Sequence, residues 1–193
     1  MEILGKILGG TARVKIMRLF LLNKGKTFTT KEISKRSRVA PETARRDVRL
    51  LESITFVKKK GAGYVYNPDF KYSREIEGLL ITSNTLDKDS ILSHFKKAGK
   101  IKLLIVSGVF IKHKDSRADL LIIGDKLKKN HIEEGVRRLE AETGAELTYA
   151  TFETKEFVYR LNMYDKLVRD ILDFPHEVVL QAKELSTQTL KRP

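Results

Sequence analysis

FTTKEISKRSRVAPETARRDVRLLESITFVKKKGAGYVY, residues 28–66, decides the fold of this chain. Thr29 followed three residues later by Glu32 has the spacing of a capping box, so a short basic helix is expected over Lys31 to Ser37, with Ile33 as its main apolar contact. Ser37 to Ala40 is a tight connection. Pro41 then suits the first turn of a second helix, where its missing N–H costs nothing. In that helix Ala44, Val48 and Leu51 recur at i, i+4 and i+7, with Leu50 beside them, which makes one stripe apolar. Glu42, Thr43, Arg45, Arg46 and Arg49 take the other face. After Ser53 the pattern turns to strands: Phe56 to Lys60 and Tyr64 to Tyr66 flank Gly61-Ala62-Gly63, a glycine-rich turn of the kind hairpins need.

Helix, turn, helix and basic hairpin in this order are the layout of a winged helix-turn-helix. A major groove admits one α-helix, whose arginines read base edges while other basic groups hold phosphates. The expected DNA contacts are Thr29, Thr30, Lys31 and Arg38 around the first helix and turn. Pro41, Glu42, Thr43, Arg45, Arg46 and Arg49 follow on the second helix, and Lys58, Lys59, Lys60 and Tyr64 on the wing. The same cations read as a merely solvated face would not require that order of elements.

The charge distribution agrees. Of a net +13 over 193 residues, residues 1–72 hold +11, from 17 Lys and Arg against 6 Asp and Glu. The rest of the chain is nearly neutral, so a polyanion-binding module joined to an ordinary domain is expected. The basic helices carry too few large apolar residues for a membrane-surface protein. There is no cysteine, hence no disulfide and no thiolate metal site. Met1 to Gly10 lacks the apolar core of a secretory signal, and no run approaches the roughly 20 apolar residues of a membrane helix. A soluble cytoplasmic protein is expected, one large or two small domains in size.

Upstream, Thr11 is placed to cap a helix from Ala12 to Leu22 with a broad apolar face, ended by Asn23-Lys24-Gly25-Lys26. Downstream, Asn67-Pro68-Asp69 is a turn and marks a domain boundary, giving domains 1–68 and 69–193. Helices are expected from Ser73 to Ile81, with Ile76, Leu79 and Leu80 apolar, and from Asp89 to Ala98. Ile101 to Val109 reads as a buried strand. Asp119 to Ile123 is a second, stopped by Gly124-Asp125, and Leu147 to Phe152 a third. Between the last two lies a charged helix, Lys126 to Thr143. A single long helix, Thr154 to Leu172, carries Phe157, Leu161, Tyr164, Leu167, Val168 and Ile171. Val178 to Leu180 adds an edge strand, and the tail to Pro193 is polar. Strands alternating with helices make a small α/β layer, so the whole is an α+β chain.

GVFIKHKDSRADLLIIGD, Gly108 to Asp125, resembles the signature of minimal nucleotidyltransferase domains, in which a Gly-Ser closes one strand and S-D-x-D-L opens the next. EFVYRLNMYDKLVRDIL, Glu156 to Leu172, resembles the helix that follows it, and the fused arrangement resembles a group of prokaryotic transcriptional regulators. The family's chemistry needs two carboxylates at i and i+2 plus a third acid to hold divalent ions. Gly108, Ser116 and Asp119 match the motif. The first acid position holds Arg117, the serine position holds Val109, and the third strand has no carboxylate, Glu146 and Glu153 only flanking it. Asp115 is out of register. The resemblance therefore implies a catalytically silent relative without metal or cofactor, Asp119 being a polar residue that opens a strand. His94, His113, His131 and His176 have no ligand spacing. Ser107 lacks a nucleophile elbow, and the Gly-rich turns lack a P-loop lysine.

The function expected is a sequence-specific transcription regulator binding double-stranded DNA as a homodimer, its second domain serving dimerisation or the sensing of a small-molecule or protein effector. An active metal-dependent nucleotidyltransferase that acts on nucleic acid or protein, and an antitoxin-like partner protein, stay open as alternatives.

Overall fold

The computed structural model describes residues 3–82, 87–113 and 115–185, and it is a mixed α and β chain. The chain divides into two compact units: Met1–Thr85 with Arg137–Glu146, and Leu86–Val136 with Leu147–Pro193.

The first unit opens with α1 (Ile3–Ile7), in a glycine-interrupted stretch for which no helix is expected from the sequence, and α2 (Thr11–Leu22). Gly10 rather than Thr11 precedes α2, and no side chain caps it. Val14, Ile16, Met17, Leu19, Phe20 and Leu21 are all buried, as the broad apolar face requires. α3 (Thr30–Ser37) and α4 (Pro41–Ser53) follow, with Ile33, Ala44, Val48 and Leu51 packed into the same core. Leu50 is the exception, being 40% exposed. Successive helical residues rotate by about 100°, so the position that shares the stripe with Ala44, Val48 and Leu51 is 47, not 50. Asp47 occupies it and is buried.

β1 (Val57–Lys60) and β2 (Gly63–Tyr66) form an antiparallel hairpin closed by the Lys60–Gly63 pair. Its turn is therefore two residues, Gly61-Ala62, with Gly61 at φ +57°. Phe28 adds one antiparallel bridge to Tyr64, each N–H donating to the other's carbonyl at 2.9 Å. Gly63 is required beside it, since a Cβ there would lie 2.7 Å from the Phe28 carbonyl oxygen. α5 (Ser73–Glu77) runs into a wider π-helical turn, Gly78–Thr82, which buries Leu80 and leaves Leu79 exposed.

In the second unit, α6 (Lys88–Ser93) precedes β3 (Lys100–Val106) and β4 (Leu120–Asp125). β3 ends three residues earlier than its apolar run suggests. Ser107 leaves the ladder and Gly108–Phe110 turns as a 3₁₀ helix. β4 runs through Gly124 and Asp125, which pair with Ile101 and Lys100 instead of stopping the strand. α7 (Lys129–Thr143) leads to β5 (Tyr149–Glu153), α8 (Thr154–Asn162), α9 (Lys166–Asp173) and β6 (Glu177–Gln181). The sheet order is β5-β4-β3-β6, with only β4 and β5 parallel, and β6 at an edge. Phe157, Val168 and Ile171 pack with Leu103, Ile105, Leu121 and Ile123 in its core.

The expected helix 154–172 is thus two helices. Tyr164 takes a left-handed conformation at φ +54°, and the Asp165 carboxylate accepts the Val168 N–H at 3.1 Å, restarting the helix as its N-cap. From residue 186 on, the polar tail lies outside the described residues.

The segment Arg137–Glu146 is built into the first unit by two buried side chains of the α2 region. Arg18 donates to the carbonyls of Leu80 at 3.0 Å and Glu142 at 3.3 Å. Asn23 Nδ2 donates to the carbonyls of Leu19 and Gly144, both at 2.8 Å. Two of these acceptors, Glu142 in the last turn of α7 and Gly144 just beyond it, are carbonyls for which the helix itself offers no partner.

Candidate nucleic-acid interface

Thr29 caps α3 reciprocally. Its hydroxyl oxygen accepts the Glu32 N–H at 3.3 Å, while Glu32 Oε2 accepts the Thr29 N–H and hydroxyl, each at 2.8 Å. The backbone hydrogen bond from Thr29, then its hydroxyl, holds the Glu32 carboxyl below the usual glutamate range. The Thr29 hydroxyl is therefore engaged within the chain, and Thr30 is half-buried while Lys31 is exposed.

The connection to α4 is three residues long. Arg38 stands in the left-handed region, φ 51° and ψ 46°, and its N–H reaches the Lys35 and Ser34 carbonyls. Ser34 Oγ donates to the Val39 carbonyl at 2.7 Å and fixes the turn. Pro41 opens α4 at its first position. Glu42, Arg45, Arg46 and Arg49 are exposed on the side away from Ala44, Val48 and Leu51, and Thr43 is half-buried. Arg45 pairs with Glu42 at 2.6 Å. Arg46 Nε lies 3.6 Å from Asp47, whose main partner is Arg13 of α2 at 3.1 Å.

On the hairpin, Lys58, Lys59 and Lys60 are exposed and Tyr64 is half-buried opposite Lys59. Lys58 is paired with Asp69 at 3.0 Å. Arg36 lies over the Phe28 ring at 5.2 Å and pairs with Glu146. Beside it opens a cleft of about 740 Å³, lined by Lys35, Arg36, Arg38, Arg137, Glu140 and Glu146 among others, all within the first unit.

Several of these residues are not among those expected from the sequence. Asp47 and Arg18 each sit in an apolar stripe and were legible as interruptions of it. Phe28 and Glu146 carried no local signal.

The motif Gly108, Ser116 and Asp119 comes together in the second unit as a fastened loop. Asp119 Oδ1 accepts the Val109 N–H and Oδ2 the Thr148 N–H, both at 2.8 Å, and Ser116 Oγ accepts the Gly108 N–H at 3.0 Å. Ser107 Oγ donates to the Ala118 carbonyl. Gly108 has φ +55°, and a Cβ there would collide with Asp119 Oδ1. Arg117 instead reaches Asp170, at 3.0 Å. Among the described residues no three His, Asp or Glu side chains are placed to hold a metal ion. Nor is any described helix long and apolar enough to cross a membrane.

No protein-family model matches the chain, and no curated protein or solved structure does.

Proposed function

We propose that this chain is a sequence-specific DNA-binding transcription regulator, with a winged helix-turn-helix in its first unit. The observation that carries it is the outward face of α4. Arg45, Arg46 and Arg49 project from one side of a helix whose other side is fixed by the core, so their guanidinium groups are presented together without disturbing the fold. α3, capped at its start and joined by a three-residue turn, stands before that helix, and a lysine-rich hairpin follows it. In such a layout α4 enters the major groove, Arg45 and Arg46 meet base edges, and Lys59 and Lys60 meet phosphate. The second unit acts as a catalytically silent nucleotidyltransferase-like domain, for dimerisation or for sensing an effector. An active nucleotidyltransferase has against it that both Asp119 oxygens are held by backbone N–H groups.

The deciding experiment is selection from a pool of random duplex DNA at about 0.15 M salt, where screening weakens the sequence-independent attraction to the backbone. Enrichment of a palindromic motif is expected. Tight, salt-sensitive binding without enrichment would leave a non-specific binder and overturn the assignment of α4.

A further inference from the structure

We propose that Asp47 is a positioning residue, which holds the Arg46 guanidinium in the orientation that reads a guanine in the major groove. This rests on α4 being the DNA-reading helix, and it names both the base and the group that prepares the arginine for it.

The aspartate is a fixed point. Its side chain is 3% exposed, and its Oδ1 accepts the Arg13 Nη2–H at 3.1 Å. Arg13 is itself tied through Nη1 to the Leu8 carbonyl at 2.9 Å. Arg46 meets the same Oδ1 with its Nε 3.6 Å away, while its own side chain stays 71% exposed. The arginine is thus held from the protein side and open to a ligand. A guanidinium presents its donors as a rigid planar fork. With Nε turned to Asp47, the two Nη groups at the far end of the fork remain. Two parallel N–H donors match the O6 and N7 acceptors of guanine, a pair that no other base shows in the major groove.

Ordering a long side chain at an interface opposes binding, and a partner that already restricts it reduces that cost. The attraction between Arg46 and Asp47 also strengthens when DNA displaces water from around them. Arg45, the neighbouring residue of the same chemistry, lacks such a support. Its partner Glu42 is 84% exposed in the first turn of α4, and an ion pair between two exposed side chains fixes little.

The test is titration of the selected duplex and its single-base variants with the wild type, Arg46→Ala, Asp47→Asn, the double variant and Val48→Ala. Asparagine keeps an oxygen for Arg13 and removes the charge that faces Arg46. Arg46→Ala is expected to lower the preference for one guanine about tenfold, and Asp47→Asn to lower it at that same base about threefold. Preference at every other base pair, including the one that Arg45→Ala relaxes, stays as in the wild type. Adding Asp47→Asn to Arg46→Ala changes nothing further at that guanine. Val48→Ala, which empties part of the core beneath the same helix, lowers the melting temperature and keeps the preference intact. Undiminished guanine preference in Asp47→Asn overturns the proposal, as does an equal loss at all base pairs, which is what a loosened α4 would give. A motif in which Arg46→Ala relaxes no guanine overturns it too, and leaves the DNA-reading assignment standing. If the wild type enriches no motif, both fail together.

Discussion

Asp47 Oδ1 accepts a hydrogen bond from Arg13 Nη2 at 3.1 Å, and the aspartate side chain is 3% exposed. The pair ties α4 to α2 at the one charged position of the α4 stripe. Arg13 also donates to the Leu8 carbonyl at 2.9 Å, so the same guanidinium holds the end of α1. Breaking a buried pair from one side leaves the other charge uncompensated. Asp47→Ala is therefore expected to cost the first unit about 2–4 kcal/mol, somewhat below the full buried-pair penalty because Arg13 keeps some solvent contact. Chemical denaturation checks it. A loss under 1 kcal/mol, of the size seen for exposed pairs, would refute the buried-pair role.

Base reading and phosphate holding separate by mutation. Arg45→Ala or Arg46→Ala should relax preference at one or two positions of the selected site, by about 1–3 kcal/mol each. Lys59→Ala should weaken binding to every sequence alike and flatten the salt dependence by about one charge. Titrations of matched and scrambled duplexes at several salt concentrations distinguish the two. If both classes of variant behave the same way, α4 is not the recognition helix.

Arg38 offers a substitution in which stability and binding move in opposite directions. A non-glycine residue at φ 51° carries a steric cost that glycine does not. Arg38→Gly is expected to stabilise the fold by about 0.5–1 kcal/mol and to weaken DNA binding by loss of a cation at the turn. Melting temperature and duplex affinity are read on one preparation. Should both fall together, Arg38 serves the fold and not the ligand.

What the sequence disclosed follows the range of each interaction. The capping box of Thr29 and Glu32, Pro41 at the head of α4 and the glycine turn of the hairpin are contacts between near neighbours, so their spacing is sufficient. Asp47 shows the limit. Its position on the stripe is computable from helical rotation, but its acceptability depends on Arg13, 34 residues away. The break between α8 and α9 is hidden in the sequence because Phe157, Leu161, Tyr164, Val168 and Ile171 keep a helical period across it. The Asp165 cap is a local signal, but one that this period overrides. The joining of Arg137–Glu146 to the first unit had no signature at all, since it rests on Arg18 and Asn23 meeting carbonyls more than 120 residues away. The candidate interface was legible as a set of residue types. Which of its cations are engaged, such as Lys58 with Asp69, was not.

Asp119 is the residue on which the proposed silent second domain and an active enzyme would differ. Its two oxygens accept the Val109 and Thr148 N–H groups, so Asp119→Ala removes two charge-assisted hydrogen bonds and should destabilise the second unit by about 2–4 kcal/mol. Asp119→Asn, which keeps one acceptor, should cost about half as much. Neither change is expected to alter nucleotide incorporation, which should be at background in the wild type with Mg²⁺ present. Magnesium-dependent incorporation abolished by Asp119→Ala would sink the silent reading.

Acid should loosen the α3 cap. Hydrogen bonds from the Thr29 backbone and hydroxyl favour the charged form of Glu32, so its folded-state pKa lies below the ordinary 4.5. A group shifted down in this way binds protons more readily in the unfolded chain. Its contribution is whole above pH 4.5 and is lost as the pH falls through the depressed value. Glu32→Gln keeps a side chain that can accept the same hydrogen bonds and removes only the charge. The melting temperature of the wild type should therefore exceed that of Glu32→Gln at pH 7, and the gap should close on titration from pH 5 to pH 3. Asp165, lowered chiefly by the Val168 N–H, follows the same sign at α9 and serves as an internal comparison. A gap that stays constant over the whole range would mean that the carboxylate charge contributes nothing to the cap, and that Thr29 holds α3 by its hydroxyl alone.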